Sequence, residues 1–244
     1  MKLIIAGATG YVATELIRQS LRRPDITSVV ALARKTTPIP NDVTPGSSEA
    51  AKFTSVVVKD YEGPYDADES VKTALAGADA CIWTVAITPS KSSAFPFEEV
   101  RRVCQTSTLA GLRALHASRG AKTSPFRFVY MSGIAAERDQ TKKPPFKPEY
   151  SLMRGETENQ ILAYTAEHKS DVEAVIVKPG LITNGRIVQD NIVAPLIGML
   201  AGVPRIPLAT LATVMLDAAV NGAKSDTLVH NELDKIGKTL EEKK

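Results

Sequence analysis

Met1-Lys2-Leu3-Ile4-Ile5-Ala6-Gly7-Ala8-Thr9-Gly10-Tyr11-Val12-Ala13-Thr14-Glu15-Leu16 opens the chain with an apolar run, a glycine turn and the first residues of an amphipathic pattern. Leu3 to Ala6 reads as a strand. Tyr11 to Arg23 reads as a helix with Val12, Leu16, Ile17 and Leu21 on one face. A glycine pair between a strand and a helix gains meaning from that context. Gly7 permits the tight turn, Gly10 lets the backbone approach a pyrophosphate, and Ala13 is small enough for close helix–strand packing. The amides of Thr9, Tyr11 and Val12, at the helix start, then face the phosphates. The expectation is a dinucleotide-binding loop.

Outward from that loop, short β-rich runs alternate with helical patterns, the mark of a parallel sheet wrapped by helices. Strands are expected at Ser28–Ala33, Thr54–Val58, Ala80–Val85, Phe126–Met131 and Val172–Val177, with a last short one at Thr227–His230. Helices are expected at Glu69–Leu75, Glu98–Ser118, Tyr150–His168 and Leu208–Val220. The fold class is therefore α/β: a doubly wound, mostly parallel Rossmann sheet in one domain spanning 1–244. After Pro179-Gly180 the alternation weakens. Residues 181–244 read as a small substrate cap plus C-terminal helices, too few for an independent core. Glu241-Glu242-Lys243-Lys244 reads as a frayed, solvated end.

The residues after the second strand bear on which dinucleotide binds. An NAD-preferring fold places an acid about 20 residues beyond the glycine loop to hold the ribose 2′-hydroxyl. Here the stretch is Ala31-Leu32-Ala33-Arg34-Lys35. Arg34 and Lys35 suit a 2′-phosphate instead, so NADP(H) is expected over NAD(H). Asp60, ending the third strand, either accepts from the adenine amine or caps a turn.

Composition bounds the partners. The 244 residues include 30 Lys and Arg against 27 Asp and Glu, a formal net charge of +3. That margin, with aromatics at 5% and no basic–aromatic interleaving, argues against a nucleic-acid partner. Cys81 and Cys104 sit in apolar runs and read as buried thiols in a reducing compartment. His116, His168 and His230 lack metal-ligand spacing, and no metal is expected. No run approaches the ~20 apolar residues of a membrane span, and the amino terminus is too short for a signal peptide. The expectation is a cytoplasmic monomer or homodimer with a small-molecule substrate and no membrane partner.

Tyr150 and Arg154 are four apart on a helix and share a face. Ser132 ends the fifth strand, on the carboxyl edge where ligands bind in such sheets. This trio suits carbonyl reduction: Tyr150 as acid, Arg154 stabilising its phenolate, Ser132 bonded to the substrate oxygen. At these residues the chain resembles an atypical short-chain dehydrogenase/reductase, of the branch with the Tat-interacting and NmrA-like NAD(P)-binding proteins. The resemblance rests on Gly7 to Gly10, Tyr130 to Gly133, Tyr150 to Glu156, Lys178-Pro179-Gly180 and Asn231 to Gly237, and it covers nearly the whole chain. It implies NADP(H) binding, with Pro179 at the cofactor, and a Ser/Tyr/Lys site carried by Ser132, Tyr150 and Arg154. Arg154 departs from the family's Lys; it keeps the charge but relays a proton less readily.

The loops Thr88–Phe97 and Asp139–Glu149 and the cap at Ile182–Leu208 are candidate pocket walls. Ile192, Leu196, Ile197 and Met199 suit a hydrophobic or aromatic carbonyl compound, or else form core or a dimer face. Asn184 and Arg186 either fix a substrate or form a turn. The leading reading is an NADPH-dependent reductase of a small carbonyl compound. Its alternatives are a cofactor-binding regulator or sensor without turnover, and a non-redox isomerase, dehydratase or cyclase.

Overall fold

The computed structural model describes residues 1–63, 65, 68–184 and 202–242. Seven parallel strands form one sheet in the order β3-β2-β1-β4-β5-β6-β9, built from β1 (Lys2–Ala6), β2 (Ser28–Ala33), β3 (Phe53–Val57), β4 (Ala80–Trp83), β5 (Phe126–Met131), β6 (Val172–Lys178) and β9 (Thr227–Val229). Alternate residues along each strand point to opposite faces. Leu3, Ile5, Val29, Ala31, Ile82, Val129 and Val175 therefore enter one core, while Ile4, Val30, Leu32, Cys81, Trp83, Phe128 and Ile176 enter the other. Burial on both faces is why these strands read as continuous apolar runs.

Helix α1 (Tyr11–Arg22) covers the first face. On the second lie α3 (Glu69–Leu75), α6 (Ser107–Ser118) and α7 (Pro148–Glu167), contributing Val71, Leu75, Leu112, Leu115 and Ile161 to its core. The long helix expected from Glu98 is α5 (Phe97–Arg101) running into α6 through a π-helical turn at Arg102–Thr106. Short α2 (Ser48–Ala51) and α4 (Pro89–Ser92) sit in stretches that read as loops, because one turn of helix leaves no periodicity to detect.

Helices α8 (Leu208–Asn221) and α9 (His230–Glu241) share the first core with α1, and β9 extends the main sheet. Gln19 on α1 binds the Ala209 carbonyl at 3.0 Å and accepts from Thr213 at 2.9 Å, joining α1 to α8. Glu241, expected to be frayed, ends α9 and accepts from Thr210 at 2.9 Å. Strands β7 (Leu181–Thr183) and β8 (Arg205–Pro207) make a separate parallel pair. Arg186, Ile192, Leu196, Ile197 and Met199 lie outside the described residues. Both cysteines are buried and free. Among the described residues no helix is long and apolar enough to cross a membrane.

The order of strands reverses between β1 and β4, so the connections leaving their carboxyl ends run in opposite directions and open a crevice, the place where ligands bind in doubly wound sheets.

Candidate functional site

The crevice is a cavity of about 700 Å³, lined by Gly7, Thr9 and Gly10 from the β1–α1 loop, Arg34 and Lys35 after β2, Asp60 and Tyr61 after β3, and Thr84 to Ile87 after β4. Gly7 adopts φ +81°, and a Cβ there would stand 2.7 Å from Thr84 Oγ1. Its amide donates to the Leu32 carbonyl at 3.0 Å, which folds the loop back onto β2. Gly10, the N-cap of α1, offers no side chain to the first-turn amides. Those donors stay open to an anion at the positive end of the helix. Tyr11 is 51% exposed beside the loop, while Val12 is buried beneath it.

Arg34 and Lys35 are exposed at the cavity rim, and neither has an ion-pair partner among the described residues. Arg102, on the π-helical turn, also lines the cavity but is neutralised: it donates twice to Glu99 at 2.8 Å and again to Glu62. Asp60 takes the turn role. It lines the cavity, and its Oδ1 accepts from the Glu62 amide at 3.0 Å. Tyr61 stands edge-on to Trp83, and burial raises its phenol pKa against the opposing Arg34 charge.

Of the reaction trio, Tyr150 comes nearest the cavity. Its hydroxyl donates at 2.9 Å to the carbonyl of Ile87, a cavity-wall residue. Burial pushes its phenol up to about 12, outweighing the lowering pull of Arg154. Arg154 does favour the phenolate, but in this environment desolvation outweighs it. Arg154 is buried, with Nη2 donating to the Met131 carbonyl at 2.6 Å and its guanidinium 4.8 Å from the Tyr130 ring. Its Nη1 and the Tyr130 hydroxyl have no hydrogen-bond partner.

Ser132 faces elsewhere. Its hydroxyl donates to Glu158, a fully buried carboxylate that also takes Lys178 at 2.8 Å and Arg138 at 2.7 Å. With its proton committed there, Ser132 does not donate to a substrate oxygen in this arrangement. Arg138 reaches Glu158 because Gly155 lets the preceding loop lie against α7; a Cβ at 155 would fall 1.7 Å from the Glu137 carbonyl oxygen. Pro179 is buried after β6, where its carbonyl accepts from the Ile134 amide at 2.9 Å, and it does not line the cavity.

A protein-family model described as NAD(P)H-binding matches residues 7–221. The chain belongs to the NAD(P)H-binding family. The short-chain dehydrogenase/reductase resemblance fits that membership. Three solved structures show the shared fold. MoeE5 in complex with UDP-glucuronic acid and NAD superposes with a TM-score of 0.66 at 15% identity, covering 98% of this chain and 82% of that one. DesIV, a dTDP-glucose 4,6-dehydratase from Streptomyces venezuelae with NAD and TYD bound, gives 0.63 at 17%, covering 98% and 80%. The PhqB reductase domain from Penicillium fellutanum gives 0.66 at 18%, covering 98% and 70%. No curated protein matches the sequence.

The residues of this NAD(P)H-binding protein fit the group its family implies. The glycine cradle would be filled by a Cβ, and α1 begins without a side-chain cap. Thr84 to Ile87 and Arg102 also line the cavity, and the sequence reading missed them, while Phe95 lies in the loop Thr88–Phe97 expected as a pocket wall. The first four follow from the strand order, since β4 borders the reversal. Arg102 leaves no such trace, because a π-helical turn is invisible in a helical pattern.

Proposed function

We propose that this protein is an NADPH-dependent reductase of a small carbonyl compound. The observation that carries the reading is the placement of Tyr150, whose hydroxyl is held on the carbonyl of a residue in the nucleotide cavity wall. Arg34 and Lys35, in no ion pair among the described residues, favour the 2′-phosphate form. When bound, the reduced nicotinamide supplies a hydride to the carbonyl carbon.

Tyr150 then releases the Ile87 carbonyl and gives its proton to the substrate oxygen as general acid. A phenol near 12 is protonated at neutral pH, the form a proton donor needs. Arg154, fixed by the Met131 carbonyl, offsets the charge left on the phenolate. Ser132 keeps its lone pairs for accepting.

The test is NADPH oxidation across a panel of small aldehydes and ketones. Tyr150→Phe is expected to lose ~10²-fold in turnover with cofactor affinity nearly unchanged. A Phe variant that works at the parental rate rules Tyr150 out. A second reading, a cofactor-binding regulator without turnover, draws on the same hydroxyls: both Tyr150 and Ser132 give their protons to protein acceptors. It expects tight NADPH binding and no oxidation with any member of the panel.

A further inference from the structure

Along one side of α7 the polar groups Lys147, Tyr150 and Arg154 recur at helical spacing, with Lys147 as the residue that precedes the first turn. Tyr150 meets Ile87, and Arg154 meets Met131. Lys147 reaches across to the α4 segment, where its ammonium donates to Ser93 Oγ at 2.7 Å and to Ser92 Oγ at 3.2 Å. It thereby joins the two loops that flank Ile87 and Tyr150.

Two features set this lysine apart. Both partners are neutral hydroxyls, and no carboxylate pairs with it among the described residues. It is also the one non-glycine residue with positive φ among those residues, at +39°, a strained conformation for an L-residue. Arg154 repeats the imbalance farther in: a buried guanidinium with no carboxylate partner and an orphaned Nη1. Buried charges in proteins are ordinarily paired, which Arg154 is not, and the half-buried Lys147 adds a second cation without a carboxylate partner at the start of the same helix.

We infer that the substrate carries an oxyanion group, a carboxylate or a phosphate, bound by Lys147 together with the Ser93 hydroxyl. The ammonium supplies the charge, and the Ser93 hydroxyl, accepting from it, keeps its own proton for the anion, whereas Ser92 gives its proton to the Pro89 carbonyl at 2.9 Å. The inference rests on the reductase reading in placing the substrate beside Tyr150.

The experiment titrates benzoate, inorganic phosphate and neutral benzamide into the protein by calorimetry, with and without NADP⁺. Wild type is compared with Lys147→Gly and Lys147→Arg. Glycine accepts the positive φ without strain, so that variant keeps the fold while losing the ammonium. Benzoate or phosphate is expected to bind wild type and to weaken at least tenfold in Lys147→Gly, about 1.4 kcal/mol. Lys147→Arg is expected to restore most of it, and benzamide to bind poorly throughout. The stronger of the two anions identifies the group. Equal anion affinity in wild type and Lys147→Gly, benzamide matching benzoate, or no anion binding at all overturns the inference. NADP⁺ titrated into the same samples separates the two readings. If NADP⁺ binds and the anions do not, the oxyanion site alone fails. If wild type does not bind NADP⁺, the cofactor reading fails whatever the anions do.

Discussion

Arg34 carries the question of cofactor choice on one side chain. It stands at the cavity rim without an acidic partner among the described residues. A 2′-phosphate would give its guanidinium a charged acceptor, where a 2′-hydroxyl would not. NADP(H) is therefore expected to bind at least tenfold tighter than NAD(H), about 1.4 kcal/mol, and Arg34→Asp to narrow or reverse the difference. Equal affinities in the parent protein, measured by titration, sink the assignment. Gly10→Val is a sharper test of the loop. The Cβ alone would come 3.0 Å from the Gly7 carbonyl oxygen, and the branches fill the space a pyrophosphate needs. Cofactor binding should vanish while circular dichroism stays native; normal binding by a folded variant means the loop holds something else. The placement of Gly7, Gly10, Arg34 and Lys35 at the cavity was legible in the sequence because it depends on close neighbours in the chain. Glu158 was not. Its partners Ser132, Arg138 and Lys178 lie 20 or more residues away, and only the folded sheet edge brings them together.

Helix α7 is the element that both stabilises and equips the site. Its buried Glu158 holds Lys178 from β6, Arg138 from the preceding loop and Ser132 from the end of β5. Lys178 is itself mostly buried, so removing the carboxylate charge strands a cation. Breaking a buried pair in this way costs about 3–5 kcal/mol. Glu158→Gln keeps the shape and is expected at the lower end, lowering Tm by roughly 6–12 °C. A Tm within about 2 °C of wild type, by scanning calorimetry, would show the network to be dispensable. The strands and long helices were readable because burial on one or two faces imposes a period. Ser28–Ala33, Glu69–Leu75 and Phe126–Met131 match residue for residue. Elements of three or four residues, such as β7, β8, α2 and α4, carry too little pattern.

Across the whole molecule, the seam between α6 and α7 sets an acid limit. His116 Nδ1 lies 2.8 Å from the Tyr164 hydroxyl, with the His168 ring 5.4 Å away and stacked on Tyr164. Burial, followed by the His168 charge, lowers the His116 pKa below 6.5; Asp171 opposes them and Arg119 adds to the lowering, while Arg113 lies over Tyr164. The fold therefore binds the neutral ring, and the unfolded chain takes up more protons just below pH 6.5. Stability from this seam is complete above that pH and lost as the pH falls through the shifted value. His116→Gln should flatten the fall of Tm between pH 7 and 5; parallel curves for the two proteins would place the acid sensitivity elsewhere. The sheet also carries its own optical gauge. The chain has a single tryptophan, and Trp83 is fully buried at the end of β4 between Tyr61 and Phe128, one residue before the cavity wall at Thr84. One indole in one environment means one emission band, short in wavelength while the central strands are closed. Fraying at the termini leaves the colour unchanged, and a red shift in this protein's fluorescence marks the moment when the centre of the sheet itself opens to water.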